Sequence, residues 1–275
     1  MKKKQARLLS LLIMAFVFSG TVFVFYSHAN ATPGALTDSR LPQIVPTQNI
    51  PLEQAQEQLT LSEQVRDLSE QWASTYQKAG WIHVVVHQTI DSDVENMRPD
   101  GQPAPNDFIT EDWILLDDNG RELKGVFLQK SDSGEILQVS VLRDKFWHNL
   151  TFGNIIPAPD DLTYTLDFGF PEVADRLKNE LKRTTETING KEIVKYSAEE
   201  KYASPAKFLE FNDEVNSIDI QVFYNDDGQL ELYQTIISFQ NGPQRISSRV
   251  EVLTFEQVLA PPAEVLDYLN RGVQK

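Results

Sequence analysis

The side chains best suited to metal binding or acid–base chemistry in this chain are four histidines and several clusters of carboxylates. His83 and His87 lie in the apolar run 81–90 and share a face if that run is a β-strand. Four residues at ~3.3 Å each separate them by ~13 Å, too far for one metal ion to bind both. His148 follows Trp147 without a partner motif. The spacing favours half-buried, hydrogen-bonded histidines and predicts no catalytic or metal site.

Two acidic clusters offer oxygen ligands that calcium prefers. They are Asp-Asp-Asn-Gly at 117–120 and Asn-Asp-Asp-Gly at 225–228. Neither continues into the spaced ligands and bidentate glutamate of an EF-hand loop. Both stand between apolar runs, where a hairpin turn favours Asp, Asn and Gly without any metal. We interpret both clusters as turns and expect no metal and no cofactor.

The signatures of common enzyme classes are absent from the sequence. Without cysteine the chain forms no disulfide, thiolate metal site or cysteine nucleophile. It also lacks Gly-x-Ser-x-Gly, His-Glu-x-x-His and the glycine-rich phosphate loops. We therefore predict that the protein is not an enzyme.

The elements that would position a site are mainly strands. Apolar runs in the central part of the chain predict consecutive antiparallel strands at 81–90, 112–116, 122–130 and 135–152. Asn119-Gly120 and Ser133-Gly134 tolerate the positive φ angles that tight hairpin turns need. A short hairpin at 184–196 and a second meander over 217–255 follow. Several strands are apolar on both faces, so both faces need a cover.

Three amphipathic segments predict helices. The first follows Thr60 and Glu63, which match a capping box, and Gly80 is expected at its C′ position. The second begins near Pro171, a favoured first-turn residue, and is expected to run to about Lys182. A short helix at 263–270 closes the fold. Together these elements predict an α+β fold with one curved antiparallel sheet.

The N-terminus is typical of an export signal. Lys2, Lys3, Lys4 and Arg7 precede an uncharged apolar run that ends before Ala29-Asn-Ala31. Because that run could also span ~30 Å of hydrocarbon, residues 1–31 are predicted to be a signal peptide or a membrane anchor. In either case the basic residues stay inside, and the protein is exported and extracytoplasmic. We expect a flexible, proline-containing linker over 32–57 and the folded domain over 58–272.

The charge of the chain limits its partners. The formal net charge is −15, and residues 1–31 contribute only basic residues to it. An acidic surface of this kind repels phosphate backbones and lacks the basic patch that nucleic-acid binding requires. Nucleic acid is therefore excluded as a partner, and any membrane contact is assigned to the N-terminal segment if it is not cleaved.

The order of the elements resembles a known group of bacterial proteins. An export signal, an N-terminal helix, Gly80-Trp81 opening a strand, hairpins ending in Phe146-Trp147, a helix, a second meander and Pro261-Pro262 occur in sequence. This order is similar to the outer-membrane lipoprotein carriers and to the N-terminal domain of periplasmic sigma-factor regulators, over about 58–270. The resemblance implies an unclosed β half-barrel, with two or three helices packed on one side around a cavity for acyl chains.

Two functions agree with these features. The first is a non-enzymatic protein that binds a lipid, a lipoprotein or another apolar ligand at the cell envelope, because an apolar pocket suits acyl chains. The second is a membrane-tethered sensor or regulator that binds an envelope protein. The alternative that the helices simply fill both faces also stays open. The residues expected to line a cavity come from the two-faced strands, and the pattern does not say which face they line: Val84, Val86, Trp113, Leu115, Phe127, Val139 and Trp147.

Overall fold

The computed structural model describes residues 59–93, 95, 97–98, 101–159, 162–188 and 190–271. The predicted signal peptide or anchor at 1–31 and the linker at 32–57 lie outside the described residues. Within these ranges, no helix combines the length and apolarity needed to cross a membrane.

The described residues form three helices and eleven strands. The helices are α1 (Leu61–Tyr76), α2 (Phe170–Arg176) and α3 (Ala263–Asn270). The strands are β1 (Gly80–Ile90), β2 (Asp107–Leu116), β3 (Glu122–Lys130), β4 (Ile136–Arg143), β5 (Phe146–Asn149), β6 (Ile155–Pro157), β7 (Leu181–Ile188), β8 (Lys191–Ala206), β9 (Val215–Tyr224), β10 (Leu230–Phe239) and β11 (Arg245–Val258).

All eleven strands belong to one sheet in the order β6-β5-β4-β3-β2-β1-β11-β10-β9-β8-β7. Every pairing is antiparallel, and β1 joins the two predicted meanders by pairing with β2 on one side and β11 on the other. The end strands β6 and β7 do not pair with each other, so the sheet stays unclosed. The predicted α+β half-barrel is confirmed.

The sheet curves around one large apolar cluster, which we call the interior. Trp147 on β5 and Leu181 on β7, near opposite ends of the sheet, both belong to it. A flat sheet of this width would hold these side chains far apart, because neighbouring strands lie ~4.8 Å from one another. Helices α1 and α2 pack into the interior, chiefly through Val65, Trp72 and Phe170.

The third helix lies on the opposite face of the sheet. Val265 of α3 packs there against Trp113 and Val126, together with Val139 and Val141. The guanidinium of Arg143 donates a hydrogen bond to the carbonyl of Leu269 at 2.9 Å and ties the end of α3 to β4. We call this face the outer face. Both faces of the sheet are therefore covered, two helices on one side and one on the other.

The start of α1 is as predicted, and its end is not. Thr60 accepts from the backbone of Glu63 and Glu63 accepts from the backbone of Thr60, so the capping box is present. The helix ends with Gln77 as its C-cap, whereas Gly80 opens β1 with φ at 136°. The expected C′ role of Gly80 is therefore wrong. Its positive φ serves the entry into the strand instead.

The second helix is shorter than predicted. Pro171 lies in its first turn as expected, but the helix ends at Arg176 instead of about Lys182. From Leu181 onward the chain pairs with β8, beginning with Leu181 opposite Ala198. This pairing buries Leu181 and supplies the backbone bonds that a longer helix would have made. Tertiary pairing therefore overrides the helical periodicity.

Candidate functional site

The interior is the candidate functional site, and its cover lies partly in an irregular segment between β6 and α2. In this segment, Leu162, Tyr164 and Leu166 alternate inward and are buried. The Glu122 N–H donates to the Leu162 carbonyl at 2.8 Å, and the Tyr164 N–H donates to the Gly120 carbonyl at 3.2 Å. We call residues 162–169 the covering segment.

Helix α1 holds the covering segment from the other side. The side-chain amide of Gln77 donates to the Tyr164 carbonyl at 2.9 Å. The Leu166 N–H donates to the Tyr76 hydroxyl at 3.1 Å, and the Ser69 hydroxyl donates to Asp167 at 2.7 Å. Helix α1 therefore holds the covering segment through side-chain hydrogen bonds, in addition to the backbone hydrogen bonds that the segment forms with the turn between β2 and β3.

The structure divides the residues that were expected to line a cavity between the two faces. Val84, Val86, Phe127 and Trp147 are buried in the interior. Trp113 and Val139 are buried on the outer face under α3. Leu115 is half-buried, and strand alternation places it on the same face as Trp113. Four of these residues thus meet in the interior, and the other three do not reach it.

Two carboxylic acids point into the apolar interior. Asp112 lies opposite Val84 on β1 and Phe127 on β3, and cross-strand neighbours share a face. Glu122 lies opposite Leu116, another interior residue, after a bulge at Leu123. Oδ1 of Asp112 and both carboxylate oxygens of Glu122 are sealed from solvent without a hydrogen-bond partner. An unpaired buried group of this kind costs about 1–3 kcal/mol, and more when charged.

These acids influence one another and a nearby tyrosine. Burial raises the pKa of Asp112 well above its usual range, and the charge of Glu111 raises it further. Burial also raises the pKa of Glu122, with the charge of Asp112 as the second cause. The pKa of Tyr164 is raised by burial and then by both carboxylates. Asp112, Glu122 and Tyr164 therefore form one electrostatically linked group, which we call the acidic group.

Aromatic rings surround the acidic group. A Cβ on Gly125, which faces the interior between Glu122 and Phe127, would meet the Phe127 ring at 2.9 Å. The missing side chain therefore leaves room for that ring beside the acids. The Phe127 ring is 4.6 Å from the Trp147 ring, and the Tyr164 ring is 6.1 Å from the Tyr76 ring.

The sequence analysis missed the acidic group, although the strand alternation indicated that one of its three members, Asp112, is buried. Asp112 shares the alternation of Ile114 and Leu116, so a strand that buries those residues must bury the aspartate as well. Glu122 gave no such signal because the bulge at Leu123 shifts its register. Tyr164 lies in the covering segment, outside the predicted strands, although its alternation with Leu162 and Leu166 is visible in the sequence.

His83 and His87 belong to the outer face. The His83 imidazole stacks on Trp113 with 3.8 Å between ring centroids, and its Nδ1 is 2.9 Å from the carboxylate of Glu256. His87 pairs with Asp107, and its Nε2 lies 3.8 Å from Asp132. These last three residues offer ligand atoms within 4.8 Å of one another, but all are solvent-accessible and already contact one another. The predicted hydrogen-bonded histidines are confirmed for His83 and His87.

Comparisons with known proteins bear on the fold. No family model and no curated protein sequence matches the chain. Among solved structures it is similar to the lipoprotein LppX of Mycobacterium tuberculosis, at 12% identity and a TM-score of 0.35 over 73% of this chain and 97% of that one. It is also similar to a LolA-superfamily protein of Nitrosomonas europaea, at 9% identity and a TM-score of 0.27 over 74% of this chain and 99% of that one.

A third similar structure is MucB in complex with MucA(peri). The identity is 10% and the TM-score 0.28, over 74% of this chain and 60% of that chain. These likenesses concern the fold alone.

Proposed function

We propose that this chain is an extracytoplasmic, non-enzymatic protein that binds a lipid, a lipoprotein or another apolar ligand in the interior. Ligand pockets are mostly apolar and carry a few placed polar groups that orient the ligand. The interior has this composition. Its apolar cluster contains unpartnered polar atoms on Asp112, Glu122, Trp72 and Tyr224, and this observation carries the proposal.

The construction of the cover supports entry of a ligand. The covering segment has no ladder of its own beyond the pairing of Arg121 with Thr163, and it meets α1 through side-chain hydrogen bonds. Each such bond contributes only ~1 kcal/mol net. Displacing the segment would break these bonds and expose Leu162, Tyr164 and Leu166, and it would leave the ladders between the strands intact.

Burial of an acyl chain would offset that cost. Each buried CH₂ contributes ~0.8 kcal/mol, so one to two methylenes offset one lost hydrogen bond. The export signal predicted from the sequence supports a role for such a binder at the cell envelope.

The fluorescence of the four tryptophans can distinguish ligand binding in the interior from ligand binding on the outer face. Trp72 and Trp147 lie in the interior, whereas Trp81 and Trp113 belong to the outer face. We would titrate two double variants, Trp81→Phe/Trp113→Phe and Trp72→Phe/Trp147→Phe, with a brominated fatty alcohol that quenches nearby indoles. We expect saturable quenching of Trp72 and Trp147 in the first variant and little change in the second. Equal quenching in both, or none in either, would contradict the proposal.

A second candidate is a regulatory domain that binds an envelope protein, and the β6 edge of the sheet favours it. Ile155, Ile156 and the neighbouring Phe146 are exposed to 51%, 47% and 43%. An extended segment of a partner could add to this edge as a further strand. Replacing Ile155 and Ile156 with lysine would abolish such binding and leave the interior intact. An unchanged partner affinity would exclude this edge.

A further inference from the structure

A site for hydrocarbon alone does not explain why the acidic group is buried in the interior. An interior that took only hydrocarbon would gain from apolar residues at 112 and 122, because sealed oxygens without partners destabilise the fold. A group of this kind in a binding cavity indicates a polar contact that the ligand supplies. The chemistry of the acids then restricts the ligand's head group.

Nearby basic side chains point away from the acids. Lys124 lies over the Trp81 ring at 5.7 Å, and Lys130 pairs with Glu111, both on the outer face. For Asp112 and Glu122, the described residues contribute burial and acidic neighbours as causes of the pKa shifts, without a basic residue among them. In the described part of the chain, the two carboxyl groups therefore face the interior from the neighbouring strands β2 and β3, without a basic residue among the causes of either pKa shift.

The surroundings match an ammonium ion better than an anion. Carboxylates attract a positive charge, and the faces of aromatic rings attract it as well. Phe127 lies directly across from Asp112, and Tyr164 is coupled to both acids. An ammonium ion would favour the ionised form of both acids, and in that form they would repel a fatty-acid carboxylate or a phosphate.

We propose that Asp112 and Glu122, with the rings of Phe127 and Tyr164, bind the amine head group of a cationic amphiphile whose hydrocarbon chain lies in the interior. This inference rests on the proposed function and narrows it to one ligand class. In this inference, the two acids determine the specificity for the amine head group. The apolar residues around Val84 and Trp147 provide the affinity for the hydrocarbon chain of the ligand.

The test compares three probes of equal chain length: dodecylamine, 1-dodecanol and dodecanoate. Each is titrated into the purified, detergent-free full chain carrying Trp81→Phe/Trp113→Phe, so that only the interior tryptophans report. We expect the amine to bind at least tenfold more tightly than the alcohol, and the alcohol more tightly than the carboxylate. In Asp112→Asn/Glu122→Gln the amine should lose this advantage, whereas 1-dodecanol should bind as before.

The control variant is Asp118→Asn, which removes one acid from the exposed turn near Glu122 and should leave all three affinities unchanged. Circular dichroism and melting curves establish that each variant is folded. If the double variant fails to fold, the single variants Asp112→Asn and Glu122→Gln give the same comparison.

The outcomes separate this inference from the proposed function. Equal affinity for the three probes, or an amine preference that survives in the double variant, would overturn the assignment of the acids and leave an apolar-ligand site standing. A carboxylate that binds most tightly would also overturn it. Failure of all three probes to bind would overturn both the inference and the proposed function.

Discussion

The hydroxyl of Tyr76 accepts a hydrogen bond from the backbone N–H of Leu166 at 3.1 Å. Both residues are buried, at 1% and 2% exposure, so water does not compete for the N–H. The bond joins the last turn of α1 to the covering segment. It therefore couples the position of the helix to the closure of the interior.

Tyr76→Phe should reduce the free energy of unfolding by about 1–3 kcal/mol, because it leaves a buried N–H without a partner. It should also increase hydrogen exchange at Leu166 and its neighbours. Urea unfolding and amide exchange measure the two effects. Tyr268→Phe on α3 is the matched control, since its ring is half-buried on the other side of the sheet. Equal losses in the two variants would argue against a specific role for Tyr76.

Replacing two of the turn glycines with alanine should reduce the stability of the fold by different amounts. Gly120 and Gly134 both have positive φ, at 72° and 83°, so alanine strains either turn. A Cβ at Gly120 would also lie 2.7 Å from Cβ of Gln77, whereas at Gly134 it would meet no described atom within 4 Å. We expect Gly134→Ala to cost about 1 kcal/mol and Gly120→Ala clearly more, as measured by urea unfolding. Equal losses would mean that the contact with Gln77 relaxes freely.

The hairpin pattern was readable from sequence because its causes are local. Gly120, Gly134 and Gly228 adopt the positive φ angles that their turns predicted, and the strands 122–130 and 230–239 have the predicted bounds. The turn between β4 and β5 was missed because Asp144 and Lys145, not glycine, adopt positive φ there, at 52° and 64°.

The residues that line the interior were less predictable, because the face that each strand side chain shares depends on contacts between distant parts of the sequence. Trp113 and Phe127 both read as apolar strand residues, yet α3 covers one and α1 lies on the side of the other. Which face a helix covers depends on the path of the whole chain. The joining of the two meanders through β1 and β11 has the same origin, because neither strand carries a local signal for its partner.

The buried acids predict an unusual dependence of stability on pH. A carboxyl group whose pKa is higher in the folded state binds more protons when folded, so its contribution to stability falls as pH rises above the unfolded pKa. Asp112 and Glu122 both have pKa values raised above the ordinary 3.8 and 4.5. Their contribution should therefore be greatest below those ordinary values and be lost as pH rises through the folded-state pKa values.

The measurement is the difference in unfolding free energy between wild type and Asp112→Asn/Glu122→Gln from pH 4 to pH 8. The comparison is needed because other acids, such as Asp93, have lowered pKa values and give the opposite slope. We expect the variant to gain stability relative to wild type as pH rises. A difference that stays constant over this range would show that the two carboxyl groups do not titrate differently on folding.

The packing of α3 on the outer face gives the last prediction. Val265 is 4% exposed and packs with Trp113 and Val126, whereas its neighbour Leu266 is 38% exposed. Val265→Asp should reduce the free energy of unfolding by about 2 kcal/mol or more, because it removes buried apolar surface and places a charge among Trp113, Val126 and Val139. Leu266→Asp makes the same chemical change one position away and should cost less than about 0.5 kcal/mol.

Acrylamide quenching in the Trp72→Phe/Trp147→Phe background should increase with Val265→Asp alone, since α3 then leaves Trp113 uncovered. If the interior is the ligand site, ligand affinity should stay the same in both aspartate variants, and a loss with Val265→Asp would place the ligand on the outer face instead.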